Sequence, residues 1–197
     1  MTAQLTKTFV LFLCITLTTS ILSCNFFKGG NDYYQSGLKE FNSTNFVKSD
    51  AYGYDDLEKL KIAINDFEKS IEMGYHQRDV FDNLTWCYWY LNQDNTNMER
   101  VYSLGLKSFP NDVEFYYRRG NCRERLNKYK EAFEDFNKAI LLDTTRKYEY
   151  ISDAFYERGA MRYILGDKVN ANNDREIAQK STKDELKTYK VYCQRWK

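Results

Sequence analysis

The stretch YYRRGNCRERLNKYKEAFEDFNKAILLD, Tyr116–Asp143, decides the fold of this 197-residue chain. It reads as one helix, a short polar turn and a second helix, with apolar side chains at helical spacing in both segments. Two such helices have two apolar stripes, and a hairpin cannot bury both of them by itself. The rest of the chain is therefore expected to supply neighbours that cover them.

Small residues in this stretch stand at fixed distances from one another. Counted from Gly120, Tyr116 lies four residues before, Ala132 twelve after, Phe136 sixteen after and Ala139 nineteen after. This pattern resembles the tetratricopeptide repeat, in which two helices cross at the small residues. Gly120 and Ala132 let the two backbones approach closely. Larger side chains fill the space around them, namely Tyr116, Leu126, Tyr129 and Phe136.

This copy of the pattern spans residues 113–146, and a further copy follows in residues 152–185. Gly159 takes the crossing position, and Ala171 and Ala178 stand twelve and nineteen residues after it. Arg175 stands where the second helix has its aromatic residue, so this copy departs from the family pattern at that position.

Two looser copies precede the opening stretch, over residues 31–74 and 79–112. In the later of these, Thr85 takes the crossing position, and either Met98 or Val101 begins the apolar face of the second helix. The earlier one is split by an insertion at residues 42–56, whose role the sequence does not indicate.

The end of the chain, residues 182–197, is predicted to be a capping helix. Leu186, Tyr189, Cys193 and Trp196 recur at spacings of three, four and three, which places them on one face. A solenoid needs such a cap over its last apolar face. The resemblance therefore predicts an all-α fold, an α-solenoid of about four tetratricopeptide helix-turn-helix repeats over residues 31–185 with a C-terminal capping helix.

Residues 1–23 read as a secretory leader. Phe9–Ser23 carries no charge and is too short to span a bilayer comfortably. The leader ends in ILSC, which resembles the lipobox of bacterial lipoproteins. That resemblance implies cleavage before Cys24 and lipidation of Cys24, followed by a flexible tether over residues 24–30. The alternatives are an ordinary leader and an uncleaved anchor in which the cysteine is coincidental.

The residue after Cys24 bears on the membrane to which such an anchor would attach. Asn25 is not the aspartate that retains lipoproteins at the inner membrane in some bacteria. We therefore expect the protein on the periplasmic face of the bacterial cell membrane, with the outer membrane favoured over the inner one.

The charge pattern argues against nucleic acid as a partner. The chain has 29 basic and 28 acidic residues, and removal of Lys7 with the leader would leave 28 of each. A neutral chain with interleaved signs lacks the basic surface that nucleic acid requires. The carboxylates stand among lysines and arginines, which predicts solvated helical faces.

No motif in the sequence favours catalysis or a cofactor. The single histidine, His76, lies in a predicted turn without a cysteine pair, so we expect a surface residue and no metal site. Neither a Gly-rich phosphate loop after a strand nor a Gly-x-Ser-x-Gly motif is present. We predict that the chain is not an enzyme and takes no cofactor or metal.

Three cysteines besides Cys24 would remain after cleavage: Cys87, Cys122 and Cys193. Cys87 and Cys122 both lie two residues after a crossing position, where core packing is the first expectation. A disulfide between the two adjacent repeats is the alternative in an oxidising compartment, although the odd number leaves one thiol free.

The resemblance also implies where a partner binds, because first helices in this family line a concave groove. The matching positions are Tyr34, Phe41, Trp86, Trp89, Tyr90, Tyr117, Arg118, Asn121, Arg125, Tyr156 and Tyr163. Aromatic side chains with Arg and Asn among them are typical of protein interfaces. Only Arg118 and Asn121 resemble the clamp by which some family members hold a chaperone's terminal carboxylate.

Two functions fit this groove. The first is a lipid-anchored scaffold of the cell envelope that binds a segment of another protein. The alternative is a carbohydrate-binding accessory lipoprotein, in which the aromatic side chains stack on sugar rings. A sugar site also needs convergent carboxylates or amides, and the predicted groove supplies only Asn121 and Glu124. We therefore expect a protein or peptide partner.

Overall fold

The computed structural model describes residues 28–45, 54–182 and 185–196, and these segments are helical with short connections. The predicted leader, Cys24 and most of the insertion at 42–56 lie outside them. The long helices form four pairs: α1 (Gly30–Ser43) with α2 (Tyr54–Glu72), α3 (Arg78–Asn92) with α4 (Asn95–Ser108), α5 (Val113–Arg125) with α6 (Tyr129–Leu142), and α7 (Ile151–Ile164) with α8 (Lys168–Gln179). Each helix packs on the helices next to it in the chain, which confirms the predicted α-solenoid.

Polar residues define the turns inside the pairs. Asp94 and Asp167 cap the starts of α4 and α8, and each aspartate accepts a hydrogen bond from the backbone amide three residues on. In three of the pairs, one residue in the turn after the first helix has a left-handed backbone conformation, namely Gln93, Asn127 and Gly166. Side-chain caps and left-handed residues thus reverse the chain over two or three residues.

The predicted crossing of α5 and α6 is confirmed. Ala132 is fully buried, and a Cβ atom at Gly120 would lie 2.7 Å from the ring of Phe136. The first pair has the same arrangement, because Gly37 lies against the ring of Phe67. In both pairs the aromatic ring of the second helix therefore occupies the space that a larger side chain at the glycine would need.

The second pair follows this register with one extra residue between its two crossing positions. Thr85 is buried at the crossing position, as predicted. The buried residues of α4 begin at Met98, and Val101 follows with the spacing by which Asp135 follows Ala132. Met98, of the two predicted alternatives, therefore takes the place of Ala132.

A buried carboxylate lies inside the third pair, where the sequence suggested solvated faces. Asp135 receives two hydrogen bonds from Arg119, at 2.7 and 2.9 Å, and one from Arg123 at 2.8 Å. The fourth pair repeats this arrangement with Asp174, Arg158 and Arg162. Burial raises the pKa of Asp135, against the opposing effect of Arg119. The prediction of solvated carboxylates is therefore wrong at these two positions.

The capping segment is less helical than predicted. Its helix α9 is only Tyr189–Tyr192, and a single 3₁₀ turn, Cys193–Trp196, follows it. Residues 185–188 have no regular structure, so Leu186 precedes the helix instead of lying on it. Among the described residues, none of the helices is both long enough and apolar enough to span a bilayer.

The three described cysteines confirm core packing. Cys87, Cys122 and Cys193 are buried free thiols. Burial raises the pKa of Cys122 to about 12 and that of Cys87 further still, which keeps both thiols protonated. The predicted alternative, a disulfide between Cys87 and Cys122, is not formed.

Candidate functional site

A pocket of about 450 Å³ lies between the second and third repeats. Its walls come mainly from the first helices α3 and α5, with three residues of α4. The lining residues are Asp82, Thr85, Trp86, Trp89, Asn95, Met98, Tyr102, Glu114, Arg118, Asn121, Cys122 and Arg125. This volume is in the range of sites that take a small molecule or a few side chains of a partner.

Two indoles on α3 form the aromatic wall of the pocket. Trp86 is 46% exposed, and its ring stacks on Tyr90 with 5.9 Å between centroids. Trp89 is half-buried, and the guanidinium carbon of Arg125 lies 5.1 Å from its ring centroid. A large exposed indole is costly in water, so this wall offers apolar area to a ligand.

Two guanidinium groups on α5 form the opposite wall. Arg118 lies 3.4 Å from the carboxylate of Glu114, a long contact, and its side chain is 44% exposed. Arg125 is exposed and forms no ion pair with any residue in the described part of the chain. Seven residues separate them, which places both on one face of α5. Both cations therefore have donors available for an acidic or carbonyl group.

Carboxylates close the end of the pocket where α3 and α5 begin. Arg78 donates to Asp112 at 2.7 Å and to Glu114 at 2.8 Å, and it also bonds Asp82. Burial raises the pKa of Asp82 to about 6, against the effect of Arg78 and with a contribution from the nearby Glu114. Asp82 therefore changes its charge in mildly acidic solution.

The structure brings together five of the residues that the sequence assigned to the groove. They are Trp86, Trp89, Arg118, Asn121 and Arg125, and Tyr90 joins them through its stack on Trp86. Sequence reasoning missed Asp82, Asn95 and Glu114, which line the same pocket. Asp82 lies four residues before Trp86 on α3, so helical spacing from the tryptophan was the signal that would have found it.

Three other predicted groove residues are corrected, because they lie in the core. Tyr34, Phe41 and Tyr156 are 5, 8 and 8% exposed. The Tyr34 hydroxyl donates to Asp79 at 2.7 Å, and its ring stacks on Tyr75. These rings join elements of the protein to one another and have little surface left for a partner.

The last two predicted residues are half-buried and lie away from the pocket. Tyr117 stacks on Tyr150, with 4.9 Å between centroids, in the connection to the fourth repeat. Tyr163 lies 6.1 Å from the ring of Tyr189 in the C-terminal segment. Neither lines the pocket between α3 and α5.

His76 lies on the surface, as predicted. Its Nε2 is 3.2 Å from the carbonyl oxygen of Ile71, within the same turn region. In the part of the chain that the structure describes, no three His, Cys, Asp or Glu side chains are placed to share a metal ion.

Known proteins resemble this chain in the sequence of one repeat and in the overall fold. Residues 113–144 match the tetratricopeptide repeat family. A crystal structure of MamA is 16% identical and covers 77% of this chain and 72% of its own, with a TM-score of 0.59. MamA residues 41 to the end from Desulfovibrio magneticus RS-1 are 15% identical, with 77% and 75% covered and a TM-score of 0.55.

A third solved structure adds a binding property of its own. YrrB, described as a tetratricopeptide protein with an unusual peptide-binding site, is 20% identical and covers 84% of this chain and 74% of its own, with a TM-score of 0.58. No curated protein sequence matches the chain. At these identities the likeness establishes the fold.

Proposed function

We propose that this chain, a tetratricopeptide-repeat protein, is a scaffold that binds a segment of another protein in the pocket between α3 and α5. The observation that carries the proposal is the pairing of an exposed indole wall with two available guanidinium groups across one pocket. An apolar side chain of the partner packs on Trp86 and Trp89, and an acidic side chain or a backbone carbonyl meets Arg118 and Arg125.

The fold supports a binding role over a catalytic one. A solenoid offers extended surfaces made from several repeats, which suits recognition of a chain segment. The peptide-binding site of YrrB, whose fold is similar, is consistent with this role. The pocket lining contains no histidine, and the thiol of Cys122 is held protonated by burial. No pair in the pocket is therefore arranged as a nucleophile with its base.

The proposal includes a membrane anchor at Cys24. It rests on the leader and the ILSC sequence, which lie outside the described residues. Lipidation would hold the scaffold on the periplasmic face, at the outer membrane by preference, where its partners would be envelope proteins. We expect Cys24→Ser to abolish acylation and to leave uncut precursor, as measured by intact-protein mass spectrometry. A wild-type chain that starts elsewhere and carries no acyl mass would remove the anchor from the proposal.

Carbohydrate binding is the second candidate, and one observation favours it. Asp82, Asn95 and Glu114 join Asn121 in the pocket, so amide and carboxylate groups lie closer to the indoles than the sequence indicated. Arg78 already engages both carboxylates, however, and the amide nitrogen of Asn95 already donates to the carbonyl oxygen of Gln93 at 3.0 Å. The protein segment remains the better match to the two cations.

The scaffold is tested by crosslinking intact cells and recovering the full-length protein from the membrane fraction. Trp89→Ala with Arg118→Ala should abolish recovery of partners, because loss of an anchor of this kind costs about 2 kcal/mol or more, roughly thirtyfold in affinity. The helical circular-dichroism signal should persist. The matched control, Leu141→Ala with Lys138→Ala, changes exposed residues outside the pocket and should keep every partner.

Two outcomes would contradict the proposal. If the folded double variant still captures all wild-type partners, the pocket is not the binding surface. If envelope glycans elute the wild-type protein from membranes while protein partners are absent from the crosslinked material, carbohydrate binding replaces it.

A further inference from the structure

The fourth repeat lacks its own aromatic residue, and the C-terminal segment supplies one. In the third repeat Phe136 of α6 covers Gly120, but the matching position of α8 is Arg175. Tyr189 enters this space from the C-terminal segment, and a Cβ atom at Gly159 would lie 2.1 Å from its hydroxyl oxygen. Tyr189 is 1% exposed and lies among the largest fully buried side chains. The repeat is thus completed by a residue from outside it.

Side chains of the fourth repeat bind the backbone of this segment. The amide of Leu186 donates to the side-chain oxygen of Gln179 at 2.8 Å, and Arg175 donates to the carbonyl oxygen of Leu186 at 3.2 Å. The hydroxyl of Tyr156 donates to the carbonyl oxygen of Lys187 at 2.8 Å. Three backbone groups of a stretch without regular structure are therefore bonded by side chains, as they are when a protein binds a peptide.

Aromatic contacts fix the position of the segment along α7. The hydroxyl of Tyr189 donates to the carbonyl oxygen of Tyr156 at 2.8 Å, and the two rings stack with 5.1 Å between centroids. Tyr192 meets the same Tyr156 ring edge-on at 4.6 Å, and its hydroxyl bonds Glu157. Backbone contacts hold residues 185–188, and two tyrosines select the sequence.

The segment's own secondary structure contributes little to this attachment. Its helix α9 is four residues long, far below the roughly 12 residues at which an isolated helix becomes marginally stable in water. Its contacts with the fourth repeat are mainly with α7, whereas α3, α5 and α7 each contact the preceding repeat mainly through its second helix. The segment therefore lies on the fourth repeat as a bound ligand does, and not as the first helix of another repeat.

We propose that α7 and α8 form a second segment-binding site, separate from the pocket between α3 and α5. Its ligand class is a short segment with a leucine and two tyrosines at intervals of three, irregular at the leucine and helical over the tyrosines, as in Leu186, Tyr189 and Tyr192. The chain's own C-terminal segment fills the site, at the high effective concentration that a short connection provides. A segment of the same chemistry added from outside binds only when the internal one is weakened.

The test uses the full-length protein and a fluorescein-labelled peptide with the sequence of residues 185–197. We expect saturable binding, measured by fluorescence anisotropy, to the chain carrying Tyr189→Ala, whose own segment has lost its buried ring. Wild-type protein should bind the peptide about thirtyfold more weakly, because its site is filled. A peptide that itself carries Tyr189→Ala should bind neither protein. Val191→Ala, which changes a residue 51% exposed on the same segment, should behave as wild type.

Two further variants separate the outcomes. Tyr192→Phe keeps the ring and removes the hydrogen bond to Glu157 from the internal segment alone, so it should also admit the peptide if Tyr189→Ala fails to fold. Trp89→Ala, added to Tyr189→Ala, should leave peptide binding unchanged, since Trp89 belongs to the other pocket. Equal binding to wild-type and weakened chains, no binding to a folded weakened chain, or loss of binding on Trp89→Ala would each overturn the second site. None of these results bears on partner capture by the first pocket.

Discussion

The guanidinium group of Arg125 lies over the indole of Trp89, with 5.1 Å between its central carbon and the ring centroid. One side chain comes from the second repeat and the other from the third. The contact therefore joins two repeats at the wall of the pocket, and it holds the indole in place before a partner arrives.

A double-mutant cycle should detect this contact in the free protein. We expect Trp89→Leu and Arg125→Gln to be coupled by about 0.5–1 kcal/mol in the free energy of unfolding, the magnitude of a cation–π contact at an exposed site. Urea denaturation followed by circular dichroism gives the four values required. Trp86→Leu with Arg125→Gln is the control, because Trp86 stacks on Tyr90. Equal coupling in the two cycles would show that the ring contact has no specific role.

The crossing of α5 and α6 is tested by two neighbouring substitutions. Ala132→Glu places a carboxylate at a fully buried position and should cost about 3 kcal/mol or more. Glu131→Ala changes an exposed side chain and should shift the free energy of unfolding by no more than about 0.5 kcal/mol. Thermal denaturation of both variants provides the comparison. Similar losses of stability in the two variants would show that the register assigned to α6 is wrong.

The raised pKa of Asp82 predicts a pH dependence of stability. Its usual value is about 3.9, and in the folded protein it is about 6. Between these values the folded state holds a proton that the unfolded state has lost, so the stabilising contribution is present at low pH and is lost as the pH rises through about 6. Asp82→Asn removes the titrating group.

The measurement is the difference in free energy of unfolding between wild type and Asp82→Asn, from urea titrations between pH 4 and pH 7. Carboxylates remote from Asp82 and Arg78 titrate equally in both proteins and cancel in this difference. We expect the stability of the wild type relative to the variant to fall across this window. A constant or rising difference would mean that Asp82 is not desolvated in the folded protein.

The register of the repeats could be predicted because it depends on local spacing. Gly120, Ala132 and Phe136 sit on two consecutive helices, so their distances along the chain translate directly into contacts. The convergence of Trp89 and Arg125 followed from the same regularity, since equivalent positions of successive repeats lie side by side.

Contacts that depend on a particular neighbour could not be predicted in this way. Tyr156 has a groove position by its place in the repeat, yet the C-terminal segment covers it. Tyr34 is buried because two residues close over it: Tyr75, in the connection between α2 and α3, and Asp79, near the start of α3. An aromatic residue of suitable size fills whichever cavity its neighbours create, and a single sequence does not show which neighbours those are.

The buried ion pairs left a signal that sequence reasoning overlooked. Arg119 and Asp135 are sixteen residues apart, and Arg158 and Asp174 have the same separation. Repetition of a charged pair at equal spacing in two copies indicates a shared structural role, because solvated surface charges have no reason to keep register. Comparison of the copies for charge as well as for small residues would have found it.

The two ends of the pocket between α3 and α5 carry opposite electrostatic character, and this gives a bound chain a direction. At the end where the helices begin, three carboxylates, Asp82, Asp112 and Glu114, surround Arg78 and Arg118, so the acidic groups are in excess by one. Arg125 lies eleven residues further along α5 than Glu114, about 16 Å away at 1.5 Å per residue. A segment with unlike termini or unlike flanking charges therefore meets a field that favours one of its two orientations, and the pocket distinguishes a sequence from its reverse.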